Sequence, residues 1–223
     1  MIGRILVVLM LCAALAAPAV AQSLSAAPLA APVPDSLAPD IAARFGDGTA
    51  GTPAVVTVGD GRLEVWWVTG IEPYAAGDAS WVNVDQGALV GAMRVTGPFK
   101  DVRGRTVEPG VYTLRYGLQP QNGDHLGVSP YREFLLMSPA ALDADPAALG
   151  YDAVTKLSAR TIGTSHPAAL SLDPPEQADG APLSAYTNDM DLQGIVFEAP
   201  FAFEGKPLGT VRFGLILVGI IQH

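Results

Sequence analysis

Short runs that alternate between apolar and polar residues are the clearest pattern in this chain. The best run covers residues 111–118 and follows the turn signal of Pro109 and Gly110. Its two faces separate cleanly, with Tyr112, Leu114, Tyr116 and Leu118 on one face and Thr113 and Arg115 on the other. A period of two residues is typical of a β-strand with one buried face. We therefore expect a strand here whose apolar side chains enter the core.

Comparable strand patterns recur along the chain, at residues 54–58, 63–67, 89–96, 133–137, 194–199 and 210–221. Residues 213–221 of the last run are almost wholly apolar, which predicts a central strand buried on both faces, with Gly214 and Gly219 at points of close approach. About seven to nine strands joined by turns favour a mainly β fold, an antiparallel, jelly-roll-like β-sandwich. A small closed β-barrel is the alternative.

Helical signals are confined to the stretch after residue 138. Asp145 and Pro146 are typical of a helix start, and Tyr151, Val154 and Leu157 recur at helical spacing. We expect one or two short helices that pack on the sheet. Residues 163–187, which are rich in Gly, Pro, Ser and Asp, predict a long loop.

The first 21 residues have the order of a cleavable secretory signal peptide. Arg4 precedes an uncharged apolar run at residues 5–16, and Ala19 and Ala21 supply the small residues that signal peptidase recognises. The apolar run is too short for the ~20 residues of a membrane-spanning helix. Cys12 lies inside the run rather than at its end, so we do not expect a lipoprotein. The sequence therefore predicts an exported protein, periplasmic or secreted, that begins at or near Gln22.

Composition narrows the chemistry of the mature chain. Cys12 is the only cysteine, so its removal excludes disulfides, thiol catalysis and thiolate metal sites. The sequence has 22 acidic residues against 13 basic ones with no cluster of Lys or Arg, which argues against nucleic acid as a partner. Residues 22–40 are rich in Ala and Pro and predict a flexible spacer before a single β-rich domain at 41–223. We expect no integral membrane span.

One polar loop is the best candidate for a binding site. Residues 119–134 join two predicted strands with more chain than a hairpin needs, and extra length at a loop tip often carries function. Asp124 and His125 are adjacent at the predicted tip, and Tyr131 and Arg132 lie on its return. Together with His166, these residues can bind an anion or polarise a carbonyl. The structural interpretation is that Asp124 caps turn amides and Arg132 pairs with a neighbouring carboxylate.

The three histidines suggest a second kind of site. His125, His166 and His223 lie in predicted loops or at a strand end. If they converge, three imidazoles can hold a divalent transition metal such as Zn²⁺ or Cu²⁺, with Asp124 as a fourth ligand or an orienting group. No local pair of histidines with the usual ligand spacing supports this, so no cofactor is predicted outright. The sequence also lacks a G-x-S-x-G nucleophile motif and a Gly-rich phosphate loop.

Three phrases of the chain resemble a family of uncharacterised exported bacterial proteins. They are P-G-V-Y-T-L-R-Y at 109–116, G-D-H-L-G at 123–127 and Y-R-E-F-L-L at 131–136, with S-H-P at 165–167 later in the same pattern. The resemblance extends over about residues 60–221 and implies an exported β-rich domain. Because the family has no assigned activity, it implies no catalytic residue.

These observations favour a non-catalytic exported domain that binds a small ligand or an envelope protein through the 119–134 loop end. The first alternative is a metal-binding protein or metal-dependent hydrolase that uses His125 and His166. The second is a structural accessory protein of the cell envelope.

Overall fold

A computed structural model describes residues 23–121, 129 and 131–221 of the chain. The predicted signal peptide lies outside the described residues, and so does the middle of the 119–134 loop, including Asp124 and His125. His223 is also outside them. All statements below concern the described ranges.

The described chain folds as one antiparallel sheet of ten strands with two short helices. Its strands, in chain order, are β1 Leu24–Pro28, β2 Ala54–Val58, β3 Gly61–Trp67, β4 Leu89–Thr96, β5 Gly110–Leu118, β6 Glu133–Pro139, β7 Ala168–Asp173, β8 Ala185–Thr187, β9 Gln193–Phe203 and β10 Lys206–Val218. The helices are α1 Pro39–Ala42 and α2 Tyr151–Ile162. Within the described ranges, no helix combines the length and apolarity needed to cross a membrane.

The sheet curls until its two ends nearly meet. Strands β1 to β7 are neighbours in chain order, and the sheet then continues through β10, β9 and β8. Strand β1 lies beside β8 and β9, and Thr52 exchanges hydrogen bonds with Glu198 across the gap, at 3.0 and 2.8 Å. A parallel bridge between Ile71 and Phe201 adds to this closure. The mainly β prediction is confirmed, and the barrel alternative describes this nearly closed sheet.

Aromatic rings fill the interior of the curled sheet. Trp67 meets Phe197 and Phe213 edge-on, each at 5.2 Å between ring centroids. Trp81, from the loop between β3 and β4, stacks on Tyr116 at 5.6 Å. These side chains are buried with the apolar residues of every long strand. The predicted inward face of β5 is confirmed, since Tyr112, Leu114 and Tyr116 all belong to this core.

A second, smaller apolar cluster lies on the outer face of β6, β7 and β10. Helix α2 covers it and contributes Val154. Ser158 of the same helix is fully buried, with its hydroxyl 2.7 Å from the carbonyl of Met137. The helix ends at Gly163, whose φ of 65° is the left-handed conformation that glycine adopts most readily. The sheet is therefore buried on both faces where α2 crosses it.

The polar face of β5 is also buried, and an arginine there organises the surrounding chain. Arg115 makes a two-pronged ion pair with Asp143, from Nε to Oδ2 at 2.7 Å and from Nη2 to Oδ1 at 2.8 Å. Its remaining N–H groups donate to the carbonyls of Gly87, Ala147 and Asp145. Thr113 donates to the same carboxylate at 2.5 Å. The ion pair thus fixes residues 143–147 and the start of β4 onto β5.

The N-terminal segment differs from the flexible spacer that its composition predicts. Strand β1 pairs with β2 along its whole length. The chain beyond β1 then buries Leu37, and the carbonyl of Ala31 accepts a hydrogen bond of 2.9 Å from the Trp66 indole. The segment is thus docked on the sheet by the pairing of β1 with β2 and by its contact with the fully buried Trp66. Proline content alone does not reveal such a docking partner.

The predicted long loop at 163–187 also differs from the structure. Strands β7 and β8 lie within it. Strand β7 is fully buried and pairs with both β6 and β10. Its sequence, A-A-L-S-L-D, is short and lies between Pro167 and Pro174. The turn residues on either side therefore led to the prediction of a loop in place of a strand.

We predict that Arg115→Met destabilises the fold by about 3–5 kcal/mol, because it leaves the Asp143 carboxylate buried without its cation. Adding Asp143→Asn should recover part of the loss, because the carboxylate that Arg115 neutralised is then also removed. Urea unfolding followed by tryptophan fluorescence measures both effects.

The matched control is Arg212→Met. Arg212 pairs with Glu198 at the surface, where both side chains are partly exposed, so its loss should cost at most about 1 kcal/mol. Equal costs for the two arginine variants would contradict the role given to Arg115.

Candidate functional site

The base of the 119–134 loop is held by Arg132. Its Nε and Nη2 donate to the carbonyl of Gln119 at 3.1 and 3.0 Å, and the Gln119 amide donates back to the Arg132 carbonyl at 2.8 Å. The Arg132 amide donates to the Glu133 carboxylate at 3.0 Å. Arg132 therefore closes the loop at its root, but its guanidinium does so through the backbone carbonyl of Gln119 rather than through the carboxylate that the structural interpretation predicts.

The structure does not bring all of the predicted site residues together. Strands β6 and β7 pair with Phe134 opposite Ser171 and Met137 opposite Ala168. Tyr131 and Arg132 precede this strand pair at one end, whereas His166 lies before Ala168 at the other end. His166 is fixed there in a turn with Thr164, whose hydroxyl donates to the His166 carbonyl at 3.0 Å.

The metal hypothesis stays a prediction. Asp124, His125 and His223 lie outside the described residues. Among the residues that the structure does describe, no three His, Cys, Asp or Glu side chains are grouped so that they can hold a metal ion.

A polar cluster on the outer face of the sheet lies next to the loop root. Its centre is Asp173, the last residue of β7, which is only 1% exposed. The Tyr186 hydroxyl donates to Asp173 Oδ2 at 3.0 Å, and Asn188 Nδ2 donates to the same oxygen at 2.8 Å. The other oxygen, Oδ1, is buried without a hydrogen-bond partner among the described residues. We call Tyr131, Asp173, Tyr186 and Asn188 the Asp173 cluster.

Two glycines allow Tyr186 to reach Asp173. Its ring lies directly on the backbone of Gly194 in β9 and Gly214 in β10. A Cβ on Gly194 would meet the Tyr186 ring at 2.6 Å, and one on Gly214 would collide with the hydroxyl. The predicted close approach at Gly214 is thus observed, and the group that approaches is a tyrosine of the edge strand β8.

Burial and the surrounding carboxylates set the charge state of the cluster. Burial raises the pKa of Asp173, and the hydrogen bonds from Asn188 and Tyr186 oppose the shift. Burial is also the main reason that the pKa of Tyr186 is raised, with the Asp173 carboxylate adding to it. Tyr186 therefore stays protonated at neutral pH and acts as a hydrogen-bond donor.

Tyr131 connects the loop root to this cluster. Burial raises the pKa of its phenol, and the carboxylates of Asp173, Asp189 and Glu176 raise it further, against an interaction with Gln177 that lowers it. Gln177 in turn donates to Asp189 at 3.0 Å. The return of the loop thus lies in a strongly negative part of the surface.

The inner face below the loop holds another buried phenol. Burial raises the pKa of Tyr116, the Glu133 carboxylate raises it further, and Arg132 lowers it. The Tyr116 hydroxyl and the Trp81 indole nitrogen are buried without partners among the described residues. The two rings stack on each other, so these atoms belong to the aromatic filling of the barrel.

Sequence reasoning identified Tyr131 but not its partners. Asp173 and Tyr186 lie in a segment that was predicted as loop, and Asn188 follows it directly. The available signal was Gly214, whose lack of a side chain in the apolar half of β10 requires something to pack against it. The register of β7, β10, β9 and β8 is needed to find that partner, and it depends on contacts distant in sequence.

We predict that Asp173→Asn gains stability relative to the wild type as pH rises from 4.5 to 7.5. Because the folded-state pKa of Asp173 is raised, the wild type holds this proton more tightly when folded, and that contribution is lost as pH rises through the raised pKa. The Asp173→Asn variant does not titrate at this position and so does not lose this contribution to stability. Urea unfolding at both pH values measures the difference, and Asp60→Asn in the exposed β2–β3 turn is the control. A pH-independent difference would contradict the buried charge.

We predict that Gly214→Ala displaces Tyr186 from Asp173 and destabilises the protein by about 1–3 kcal/mol through overpacking. Tyr186→Phe keeps the ring and removes only one hydrogen bond, so it should cost about 0.5–1.5 kcal/mol. Thermal unfolding compares the two. If Gly214→Ala is neutral, the ring does not lie where the structure places it.

No family model matches this chain, and no curated protein and no solved structure matches it. The resemblance to exported bacterial proteins therefore stays a prediction. The inference of function depends on the chain's own residues.

Proposed function

We propose that this chain is an exported, non-catalytic domain that binds a small ligand or a partner protein at the root of the 119–134 loop. The binding groups are those of the Asp173 cluster on the outer face of the sheet. The observation that carries the proposal is the Asp173 carboxylate, which is buried and keeps one oxygen without a partner among the described residues.

An unsatisfied buried carboxylate oxygen argues for binding because its cost must be offset. A buried polar atom without a hydrogen bond costs about 1–3 kcal/mol, and more when it is charged. Proteins keep such groups mainly where function requires them. Asp173 is held in place by Tyr186 and Asn188, so its buried Oδ1, which lacks a partner among the described residues, has a fixed position.

The neighbouring loop supports the same location. Arg132 fixes the loop base to Gln119. Its chain neighbour Tyr131 belongs to the Asp173 cluster and thereby connects the loop base to it. A rigid base that carries a long loop is a common arrangement at binding sites. Export, by way of the predicted signal peptide, would place this site in the periplasm or outside the cell.

The arrangement suits binding better than catalysis. Tyr186 has a raised pKa and is committed to Asp173, so it is a poor general base at neutral pH. Ser158, on the buried face of α2, donates its hydroxyl to the Met137 carbonyl. It therefore lacks the exposed hydroxyl that a nucleophile usually has.

Amide chemical shifts test the location. We expect binding fragments from a mixed-charge library, added to the ¹⁵N-labelled chain as recovered after export, to shift the amides of Tyr131, Asp173, Tyr186 and Asn188. Tyr131→Ala should weaken these fragments at least about threefold, in line with a lost aromatic contact.

The control for this experiment is Tyr74→Ala, the same change at a 61% exposed tyrosine whose backbone and side-chain hydrogen bonds go to Asn83. It should leave binding unchanged. The proposal fails if the library shifts amides elsewhere on the sheet and leaves the Asp173 cluster unmoved.

A further inference from the structure

The three buried aspartates of the described chain differ in how their charge is balanced. Asp101, Asp143 and Asp173 are 1%, 2% and 1% exposed. Asp143 has the full ion pair with Arg115. Asp101 also has one oxygen, Oδ2, without a partner among the described residues, but its Oδ1 accepts from the amides of Arg103 and Arg105. A cation lies near it as well, because burial lowers the pKa of the Arg103 guanidinium and the Asp101 carboxylate opposes that shift.

Asp173 has no such balance. Its two donors, the Tyr186 hydroxyl and the Asn188 amide, are both neutral. Among the described residues, no lysine or arginine forms an ion pair with it. Within the part of the chain that the structure describes, its Oδ1 has no donor when Asp173 is ionised and no acceptor when it is protonated.

The charges around the Asp173 cluster indicate whether its ligand is an anion or a cation. The carboxylates of Asp173, Asp189 and Glu176 all raise the pKa of the Tyr131 phenol, and no cation of the described ranges contributes to this shift. An anionic ligand would be repelled here, whereas a cation would be attracted before it makes contact. The missing partner is therefore a cation.

The kind of cation follows from the ligands on offer. Calcium needs six to eight oxygen ligands and magnesium nearly ideal octahedral geometry, but the described residues include no group of three that can hold a metal. One fixed carboxylate beside the partly buried Tyr131 ring suits an organic cation, which takes a single charge-assisted hydrogen bond and packs on an aromatic face.

We propose that the ligand of the Asp173 cluster carries an ammonium or guanidinium group that donates to Asp173 Oδ1 and packs against Tyr131. This inference rests on the proposed function for the position of the site and adds the chemical class of the ligand. A free amine and a lysine or arginine side chain of a partner protein present the same group.

Three probes of equal size and different charge test the class. The ¹⁵N-labelled chain, as recovered after export, is titrated at neutral pH with butylammonium, butanol and butyrate. Butylammonium should shift the amides of Tyr131, Asp173, Tyr186 and Asn188, and should bind at least about tenfold more tightly than butanol or butyrate, as expected for a charge-assisted hydrogen bond.

Variants then assign the contact. Asp173→Asn should weaken butylammonium at least about tenfold, and Asp60→Asn should leave its affinity unchanged. If Asp173→Asn loses its folded spectrum, Tyr131→Ala serves instead, because its partly exposed ring should contribute about two- to fivefold. Wild-type affinity in folded Asp173→Asn, or in Tyr131→Ala when it replaces that variant, overturns the proposal.

The source of the cation is separated by a fourth probe, Nα-acetyl-lysine methylamide. If this probe, through its peptide groups, binds at least about tenfold more tightly than butylammonium, the cation comes from a partner protein. Equal affinities of the two probes indicate a free amine.

The outcomes separate this inference from the proposed function. If butanol or butyrate shifts the cluster amides as strongly as butylammonium, the cationic class is wrong and the binding site stands. If neither these probes nor the fragment library shifts those amides, the site itself is refuted.

Discussion

The ion pair between Arg115 and Asp143 is the interaction on which most of this architecture depends. A guanidinium buried in the middle of a sheet must use all of its N–H groups, because each unsatisfied one would cost the fold. Here they reach one carboxylate and three carbonyls from two separate segments of chain. The residues before α2 are thereby tied to β5, and α2 is delivered to the outer face of β6 and β7. The polar face of β5 thus becomes a second interior rather than a surface.

A sheet that is buried on both faces leaves little room for a site, which explains where the polar cluster lies. The barrel interior is filled by stacked and edge-on aromatic rings, and α2 covers one part of the outside. Beyond the helix, β9 and β10 have glycines, Gly194 and Gly214, on their outer face, and the Tyr186 ring packs directly on them. The polar groups of the Asp173 cluster gather at this boundary, next to the base of the loop between β5 and β6. Their position follows from what the rest of the sheet already covers.

The sequence predicted those features that depend on neighbouring residues. The alternation in β5 placed Tyr112, Leu114 and Tyr116 in the core correctly, and the apolar run of β10 was identified as a central strand. Strands β7 and β8 were missed because prolines and glycines surround them and their partners are distant in sequence. Arg115 was assigned to the polar face of β5, but nothing local to it shows that Asp143 returns to cover it. Of the site, only Tyr131 was accessible from a loop pattern, since Asp173 and Tyr186 meet through the register of the two strands between them, β10 and β9.

The edge strand β8 is only three residues long and pairs with a single neighbour. Its attachment to the sheet depends strongly on Tyr186 and Asn188, and both of them hold the same carboxylate oxygen. Opening of this edge and loss of the Asp173 geometry are therefore one event. Occupancy of the site would then protect β8 from hydrogen exchange and proteolysis. Under the proposed function, the edge strand β8 would therefore respond to the ligand as well as form part of its binding surface.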